Sequence, residues 1–175
     1  FAFLETRRGI LDGVCITGGE PLMQKDIPNF IEKIKKMGFL VKLDTNGSFP
    51  DQLRSLIERD LLDFVAMDIK NSLEKYSRTI GCETDLSAIE KSIDLLLSGK
   101  VDYEFRTTVV KELHTEEDIE KIATRICGAK HFYLQNFVDS GNLLRPGLHG
   151  VPKETMMEMR GKACQILPNT QLRGL

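Results

Sequence analysis

The residues of this chain that are best suited to chemistry follow short apolar runs. Gly18, Gly19 and Glu20 come directly after the run 14–17, where a buried strand would end. Paired glycines let backbone amides and carbonyls approach a ligand closely, and the glutamate offers an anionic acceptor to a cationic amine. The competing interpretation is a plain strand-to-helix turn, which is the commoner meaning of a Gly-Gly pair.

Polar residues also end the second and third apolar runs. Asp44 and Thr45 could bind ribose hydroxyls or a cation, or Asp44 could simply cap the next turn. Asp68 and Lys70 alternate, so both point to one side of a strand. Lys70 could clamp a carboxylate, form a Schiff base with a carbonyl substrate, or make a structural ion pair.

The fourth and fifth apolar runs carry further candidates. Glu104 and Arg106 share a face, so Arg106 could pair with Glu104 or hold an anionic group of a ligand. Gln135 and Phe137 also share a face and offer an amide and a ring to a base, although core packing explains Phe137 as well. Because ligands bind outside the carboxyl ends of parallel strands, we expect these clusters to form one site.

Strand-like and helical segments alternate along the chain. Five short apolar runs predict strands at 14–17, 40–43, 64–67, 103–110 and 131–137. Apolar residues at helical spacing lie between them, with start signals at Asp26, Asp85 and Thr115 and stop signals at Gly38 and Gly99. This βα alternation predicts an α/β fold with one parallel sheet, open or closing into a barrel.

Length and charge restrict the class of protein. The 175 residues are 41% apolar and contain no linker-like stretch, which predicts a single domain over 1–175. The formal net charge of -2 comes without a basic block, which argues against nucleic acid as a partner. No apolar stretch reaches the roughly 18 residues that cross a membrane, so we expect a cytoplasmic protein.

The four cysteines do not have metal-ligand spacing. Cys15, Cys82, Cys127 and Cys164 lie far apart in the sequence. We predict that they are buried, reduced thiols which pack as small apolar side chains.

Taken in order, the strand-end motifs resemble a known family over nearly the whole chain. They read TGGEP from Thr17, LDTNG from Leu43, MDIK from Met67, RTTV from Arg106 and QNF from Gln135. The chain resembles the glycyl-radical-enzyme activases of the radical S-adenosylmethionine superfamily. Within that group it is most similar to the activating proteins of anaerobic ribonucleoside-triphosphate reductase and of pyruvate formate-lyase.

The resemblance implies a partial (β/α) barrel of parallel strands that binds S-adenosylmethionine beside a 4Fe-4S cluster. It implies an anaerobic oxidoreductase that makes a 5′-deoxyadenosyl radical and takes a hydrogen atom from a glycine of a partner glycyl-radical enzyme. An electron donor such as flavodoxin or ferredoxin would reduce the cluster.

The resemblance also implies which residues contact S-adenosylmethionine. Gly18, Gly19 and Glu20 would hold its methionyl amine, and Lys70 and Arg106 would hold its carboxylate.

The remaining site residues follow from the same resemblance. Asp44, Thr45 and Asp68 would line the ribose side or bind a monovalent cation, and Thr108 with 135–137 would flank the adenine.

The cluster ligands of the family are the one part of the pattern that residues 1–175 do not contain. They form a Cys-x-x-x-Cys-x-x-Cys triad on the first strand and its loop, and no cysteine here has that spacing. We therefore expect the first strand and the ligands to lie upstream of Phe1, and we place no catalytic residue in this chain. Two alternatives remain open: a Schiff-base lyase or aldolase that uses Lys70, and a non-catalytic module that binds S-adenosylmethionine.

Overall fold

The structure is a computed structural model that describes residues 1–139, 141 and 146–174. Residues 140, 142–145 and 175 lie outside the described part. Six strands form one sheet in sequence order. They are β1 (Gly13–Ile16), β2 (Leu40–Thr45), β3 (Phe64–Asp68), β4 (Asp102–Val109), β5 (Phe132–Asn136) and β6 (Thr170–Arg173).

The helices alternate with these strands. They are α1 (Ala2–Glu5), α2 (Ile27–Lys36), α3 (Pro50–Glu58), α4 (Tyr76–Ile80), α5 (Leu86–Leu97), α6 (Glu116–Arg125) and α7 (Lys153–Ile166). Strands β1, β2 and β3 pair in parallel, as do β4, β5 and β6. The predicted α/β class with a parallel sheet is therefore confirmed.

The chain divides into two compact units. Unit 1 contains Phe1–Met67 and Asp85–Tyr103, and unit 2 contains Asp68–Thr84 and Glu104–Leu175. The assignment of 1–175 to one domain stays a prediction.

Unit 1 is built around the apolar face of α2. This helix begins after Asp26, ends before Gly38 as predicted, and fully buries Ile31 and Ile34. Val41 and Leu43 of β2 are also inaccessible to solvent. Each such side chain contributes about 1.5–3 kcal/mol relative to an exposed one, so this packing fixes the strand ends that carry polar residues.

Unit 2 is built around β4, β5, α6 and α7. Phe105 and Phe132 are fully buried on the paired strands, and Met156 is fully buried on α7. Helix α6 begins behind Thr115, whose hydroxyl accepts from the Asp118 amide while the Asp118 carboxylate accepts from the Thr115 amide. The predicted Thr115 cap is confirmed, and the reciprocal bond makes it a full capping box.

Two elements do not follow from the apolar pattern. Strand β6 has the sequence TQLR, with a single large apolar residue, and gains its hydrogen bonds from β5. Helix α4 has the sequence YSRTI and ends at Gly81, which has a φ of 77°. Such short elements depend on partners that are distant in sequence and therefore give little periodic signal.

The prediction of buried cysteines is wrong. Cys15, Cys82 and Cys127 are exposed, and Cys164 is half-buried. Cys15 precedes the buried Ile16 on β1, and because successive strand residues point to opposite faces, its side chain points to the accessible side. Among the described residues, no helix is both long enough and apolar enough to cross a membrane.

Candidate functional site

The loop after β1 presents open backbone beside a buried carboxylate. Gly18 has a φ of 136°, and a side chain built at Gly18 or Gly19 would meet no atom within 4 Å. Glu20 is only 9% exposed and begins the 3-10 turn Pro21–Met23, where its carboxylate accepts from the Leu22 amide at 3.2 Å. The loop therefore combines accessible backbone with one fixed anionic group.

Glu20 also bonds to the end of β2. Its Oε1 accepts from the Thr45 hydroxyl at 2.9 Å, and its Oε2 accepts from the Asn46 amide at 2.7 Å. Three neutral donors thus orient a carboxylate that has about four acceptor sites. No lysine or arginine partner of Glu20 is found within the described part of unit 1, so its negative charge can attract a cationic group.

The loop after β2 is held by its own hydrogen bonds. Thr45 Oγ1 accepts from the Gly47 amide at 3.1 Å, and Ser92 donates its hydroxyl to the Gly47 carbonyl at 2.7 Å. Gly47 has a φ of 79°, and a side chain there would collide with Met67. Position 47 therefore requires glycine both for its conformation and for its close packing.

Asp44 makes an ion pair with a residue of its own strand. Its Oδ1 lies 3.5 Å from the Lys42 ammonium, on the same strand. The next turn is held instead by Asn46, whose Oδ1 accepts from the Ser48 amide at 2.9 Å. The proposed ligation of ribose or a cation by Asp44, Thr45 and Asp68 stays a prediction.

In unit 2, Asp68 joins the two predicted cations. Its Oδ1 accepts from Arg106 Nε at 2.8 Å, and its Oδ2 accepts from Lys70 Nζ at 3.2 Å. A structural ion pair was one of the three interpretations of Lys70, and it is present. Because the Lys70 side chain is 40% exposed and that of Arg106 17%, the pair leaves the ammonium accessible.

Glu104 pairs mainly with a residue that the sequence pattern missed. Its two oxygens accept from Arg173 Nη1 at 2.9 Å and Nη2 at 2.8 Å, whereas Arg106 Nη1 lies 4.0 Å away. The bond to Glu104 raises the pKa of Arg173, which also stacks 3.4 Å above the ring of Tyr133. Arg173 is the last residue of β6, so a prediction of that strand would have pointed to this partner.

The proposed adenine residues lie on neighbouring strands. Thr108 and Gln135 are register partners on β4 and β5, and both are exposed. Phe137 is half-buried, so core packing alone does not account for it, and its amide bonds to the Val109 carbonyl at 3.0 Å. Their contact with a base stays a prediction.

His114 is a buried residue next to the Lys70 backbone. Its Nε2 lies 2.8 Å from the Lys70 carbonyl, and its Nδ1 lies 3.1 Å from the Val110 amide. The Lys70 carbonyl can only accept, so Nε2 donates to it, while Nδ1 lies near both the Val110 amide and, at 3.3 Å, the Val110 carbonyl. Burial lowers the pKa of His114 and so favours the neutral ring, in which Nδ1 accepts from the Val110 amide. This role could not be predicted from the sequence, where His114 simply precedes Thr115, the cap of α6.

Lowering the pH is expected to destabilise the protein through His114. Burial lowers the pKa of His114 below its ordinary value of 6.5, against the opposing effect of its bonds to Lys70 and Val110. The unfolded chain therefore binds the proton more readily than the folded chain. The contribution of neutral His114 to stability is complete above about pH 6.5 and is lost as the pH falls below that value. Thermal melts at pH 7.5 and 5.5 should show a smaller acid shift in His114→Gln than in the unchanged chain. Equal shifts would contradict this assignment.

The structure therefore joins five of the predicted side chains in two bonded groups. Unit 1 joins Glu20 to Thr45 beside the glycine loop, and unit 2 joins Asp68 to Lys70 and Arg106. That all of them form one site stays a prediction. Among the described residues, no three His, Cys, Asp or Glu side chains are grouped so that they could hold a metal ion.

Comparison with protein families gives a match over most of the chain. The model of the Radical SAM superfamily matches residues 2–126. "Putative glycyl-radical enzyme activating enzyme MJ1227" of Methanocaldococcus jannaschii is 39% identical over 131 residues, which is 72% of this chain and 55% of that protein. The 7-carboxy-7-deazaguanine synthase of Methanospirillum hungatei is 30% identical over 132 residues, which is 74% of this chain and 53% of that protein. The chain spans about half the length of these curated relatives.

Solved structures share the fold. A domain of pyruvate-formate lyase-activating enzyme from Bacteroides vulgatus has a TM-score of 0.75 at 15% identity and covers 93% of this chain and 99% of its own. Streptococcus suis SuiB bound to S-adenosylmethionine has a TM-score of 0.77 at 12% identity and covers 98% of this chain and 42% of its own. At these identities the likeness shows the fold alone, and it confirms the predicted fold class.

Proposed function

The chain belongs to the Radical SAM superfamily, and from this premise we propose that it binds S-adenosylmethionine as part of an enzyme that activates a glycyl-radical enzyme. The family uses S-adenosylmethionine together with a 4Fe-4S cluster. When bound and given one electron by the reduced cluster, S-adenosylmethionine would release methionine and supply the radical chemistry that takes a hydrogen atom from a glycine of the partner. Every further step below concerns the residues of this chain.

The observation that carries the proposal is the buried carboxylate of Glu20. Three donors orient it, and the backbone beside it is accessible at Gly18 and Gly19. A fixed anionic acceptor next to accessible backbone carbonyls suits the primary ammonium group of an amino acid. The residues present in unit 1 therefore fit the amine end of S-adenosylmethionine.

The residues of unit 2 fit an anionic group. Lys70 and Arg106 are both bonded to Asp68, which orients the two cations. We propose that they hold the carboxylate of S-adenosylmethionine, Lys70 as a point charge and Arg106 as a planar donor. The described residues do not fit a 4Fe-4S cluster, because they lack a group of three potential ligands. We therefore assign no step to the cluster in this chain.

The partner is inferred from similarity rather than from geometry. The M. jannaschii relative is named for activation of glycyl-radical enzymes, which supports a glycyl-radical enzyme as the partner of this protein. A flavodoxin or ferredoxin as electron donor, anaerobic function and a cytoplasmic location stay predictions.

A second candidate function is the synthesis of 7-carboxy-7-deazaguanine. The Methanospirillum hungatei enzyme of that name matches 74% of this chain at 30% identity. We rank it second because the activase relative is 39% identical over a similar span. Both candidates require S-adenosylmethionine, so they differ in the acceptor of the radical and not in the residues proposed above.

The lyase alternative receives less support from the structure. The Lys70 ammonium is ion-paired with Asp68 at 3.2 Å, which suits a binding cation better than an amine that attacks a carbonyl. Covalent trapping of Lys70 by borohydride in the presence of a carbonyl substrate would reinstate that alternative.

Calorimetric titration tests the proposed cofactor. We expect the 175-residue chain to bind S-adenosylmethionine at one site and to bind 5′-methylthioadenosine at least about tenfold more weakly, because the latter lacks the amine and the carboxylate. Equal affinity for the two compounds would show that the proposed charged contacts do not form.

Paramagnetic resonance tests the proposed activity. The product of the complete gene, reduced with dithionite and mixed with anaerobic ribonucleotide reductase or pyruvate formate-lyase, is expected to give a glycyl-radical doublet. Release of 5′-deoxyadenosine without a doublet would exclude activation of these partners. Formation of 7-carboxy-7-deazaguanine instead would support the second candidate.

A further inference from the structure

We propose that His114 and Tyr76 are positioning residues which hold the backbone of Lys70 and thereby aim its ammonium at a bound anionic group. The inference rests on the proposed function, because it requires that Lys70 bind the carboxylate of S-adenosylmethionine. It concerns residues that none of the strand-end motifs contains.

The backbone of Lys70 is held by side chains. Its amide donates to the Tyr76 hydroxyl at 3.3 Å, and its carbonyl accepts from His114 Nε2 at 2.8 Å. One residue earlier, the Ile69 amide bonds to the Arg106 carbonyl at 2.8 Å, as expected of a strand neighbour. Lys70 therefore lies where the chain leaves the sheet, and both of its main-chain polar groups have side-chain partners.

Both partners are rigidly placed. Tyr76 is 2% exposed at the start of α4, and burial raises its pKa to about 12, so its hydroxyl stays neutral and can accept the Lys70 amide. The His114 ring is buried, and its Nδ1 accepts from the Val110 amide at 3.1 Å. This second bond fixes the tautomer that donates to Lys70.

The surrounding structure resists movement of the imidazole. His114 directly precedes Thr115, the first residue of the capping box of α6. Asp118 in that box also accepts from the Ser72 hydroxyl at 3.0 Å and from the Lys75 ammonium at 2.6 Å. The segment that begins at Lys70 and the start of α6 are thus joined through His114 and through Asp118, and Asn71 adds a bond to the Leu113 carbonyl at 2.9 Å.

The chain offers a matched pair of substitutions at His114. In His114→Gln the amide nitrogen can occupy about the position of Nε2 and still donate to the Lys70 carbonyl. In His114→Asn the shorter side chain can still accept from the Val110 amide but does not reach Lys70. The pair therefore separates the bond to Lys70 from the local turn.

Calorimetric titration of S-adenosylmethionine into four single variants and one double variant tests the proposal. We expect His114→Asn to weaken binding about three- to tenfold and His114→Gln to stay within about twofold of the unchanged chain. We expect Lys70→Ala alone to weaken binding about tenfold, and His114→Asn to have no further effect in the Lys70→Ala background. Tyr76→Phe should behave like His114→Asn, because the ring still fills its buried place.

The results distinguish a failure of the proposed contact of Lys70 from a failure of the proposed positioning role. If Lys70→Ala leaves the affinity unchanged, Lys70 does not bind the cofactor and both the proposed contact and this inference fail. If Lys70→Ala weakens binding while His114→Asn does not, the proposed function stands and the positioning role is overturned. If His114→Asn weakens binding by the same factor with and without Lys70→Ala, the effect does not pass through Lys70 and the inference is overturned. The same conclusion follows if His114→Gln binds S-adenosylmethionine as weakly as His114→Asn does.

Discussion

Replacing Glu20 with glutamine is expected to weaken the binding of S-adenosylmethionine about 10- to 100-fold. A hydrogen bond to a charged group contributes about 1.5–3 kcal/mol, and each 1.4 kcal/mol is tenfold in affinity. Glutamine keeps the shape of the side chain and one oxygen for the Thr45 hydroxyl, whose bond to Glu20 is 2.9 Å long. The glutamine amide nitrogen cannot accept from the Asn46 amide, which Oε2 does at 2.7 Å, so the loss combines the missing negative charge with this missing bond, and calorimetry at constant ionic strength measures it.

The control for Glu20→Gln is Glu58→Gln. Glu58 is exposed at the end of α3 in the same unit, so the substitution makes the same change of net charge away from the glycine loop. Its affinity should match that of the unchanged chain. If both variants lose affinity equally, the net charge of the protein and not the Glu20 carboxylate governs binding.

Replacing Asp118 with alanine is expected to lower the free energy of unfolding by about 2–4 kcal/mol. The substitution removes the reciprocal half of the capping box, in which the Asp118 carboxylate accepts from the Thr115 amide at 2.8 Å, and a charged hydrogen bond to Lys75 that is 2.6 Å long. The Asp118 side chain is only 2% exposed, so water does not replace these bonds. For a chain of this length the midpoint of thermal unfolding should fall by about 6–12 °C.

Acid pH should reduce the effect of an Asp118 substitution. Burial acts to raise the pKa of Asp118, but the bonds from Lys75, Thr115 and Ser72 outweigh it and lower the pKa from 3.8 to about 2. A carboxylate whose pKa is lower in the folded state stabilises the fold at any pH above its pKa in the unfolded chain. That contribution is lost as the pH falls through its pKa in the folded state. The difference in the midpoint of thermal unfolding between the unchanged chain and Asp118→Asn should thus become smaller from pH 5 to pH 2.

Glu117→Ala is the matched control for Asp118. Glu117 is the adjacent carboxylate, exposed and paired with Lys121 at 3.1 Å, so its removal should change stability by at most about 0.5 kcal/mol. Equal losses in the two variants would mean that general charge at the start of α6, and not the buried network, stabilises the helix.

Local patterns were enough to predict the class of fold and to name the candidate groups. Apolar periodicity and local start and stop signals, such as Asp26, Thr115 and Gly38, are properties of neighbouring residues, and the helices and five strands that they predict are present. The ordered strand-end motifs likewise identified the family without any knowledge of contacts. Burial was less predictable, because Cys15, Cys82 and Cys127 are exposed despite their apolar character.

Which of these groups are bonded to one another could not be predicted from local patterns and is seen in the folded chain. Glu20 meets Thr45 across 25 positions, Lys70 meets His114 across 44, and Glu104 meets Arg173 across 69. Hydrogen bonds are made over about 3 Å, and only packing brings such distant residues that close. The same physical reason hid β6, whose hydrogen bonds come from β5 and not from a pattern of its own.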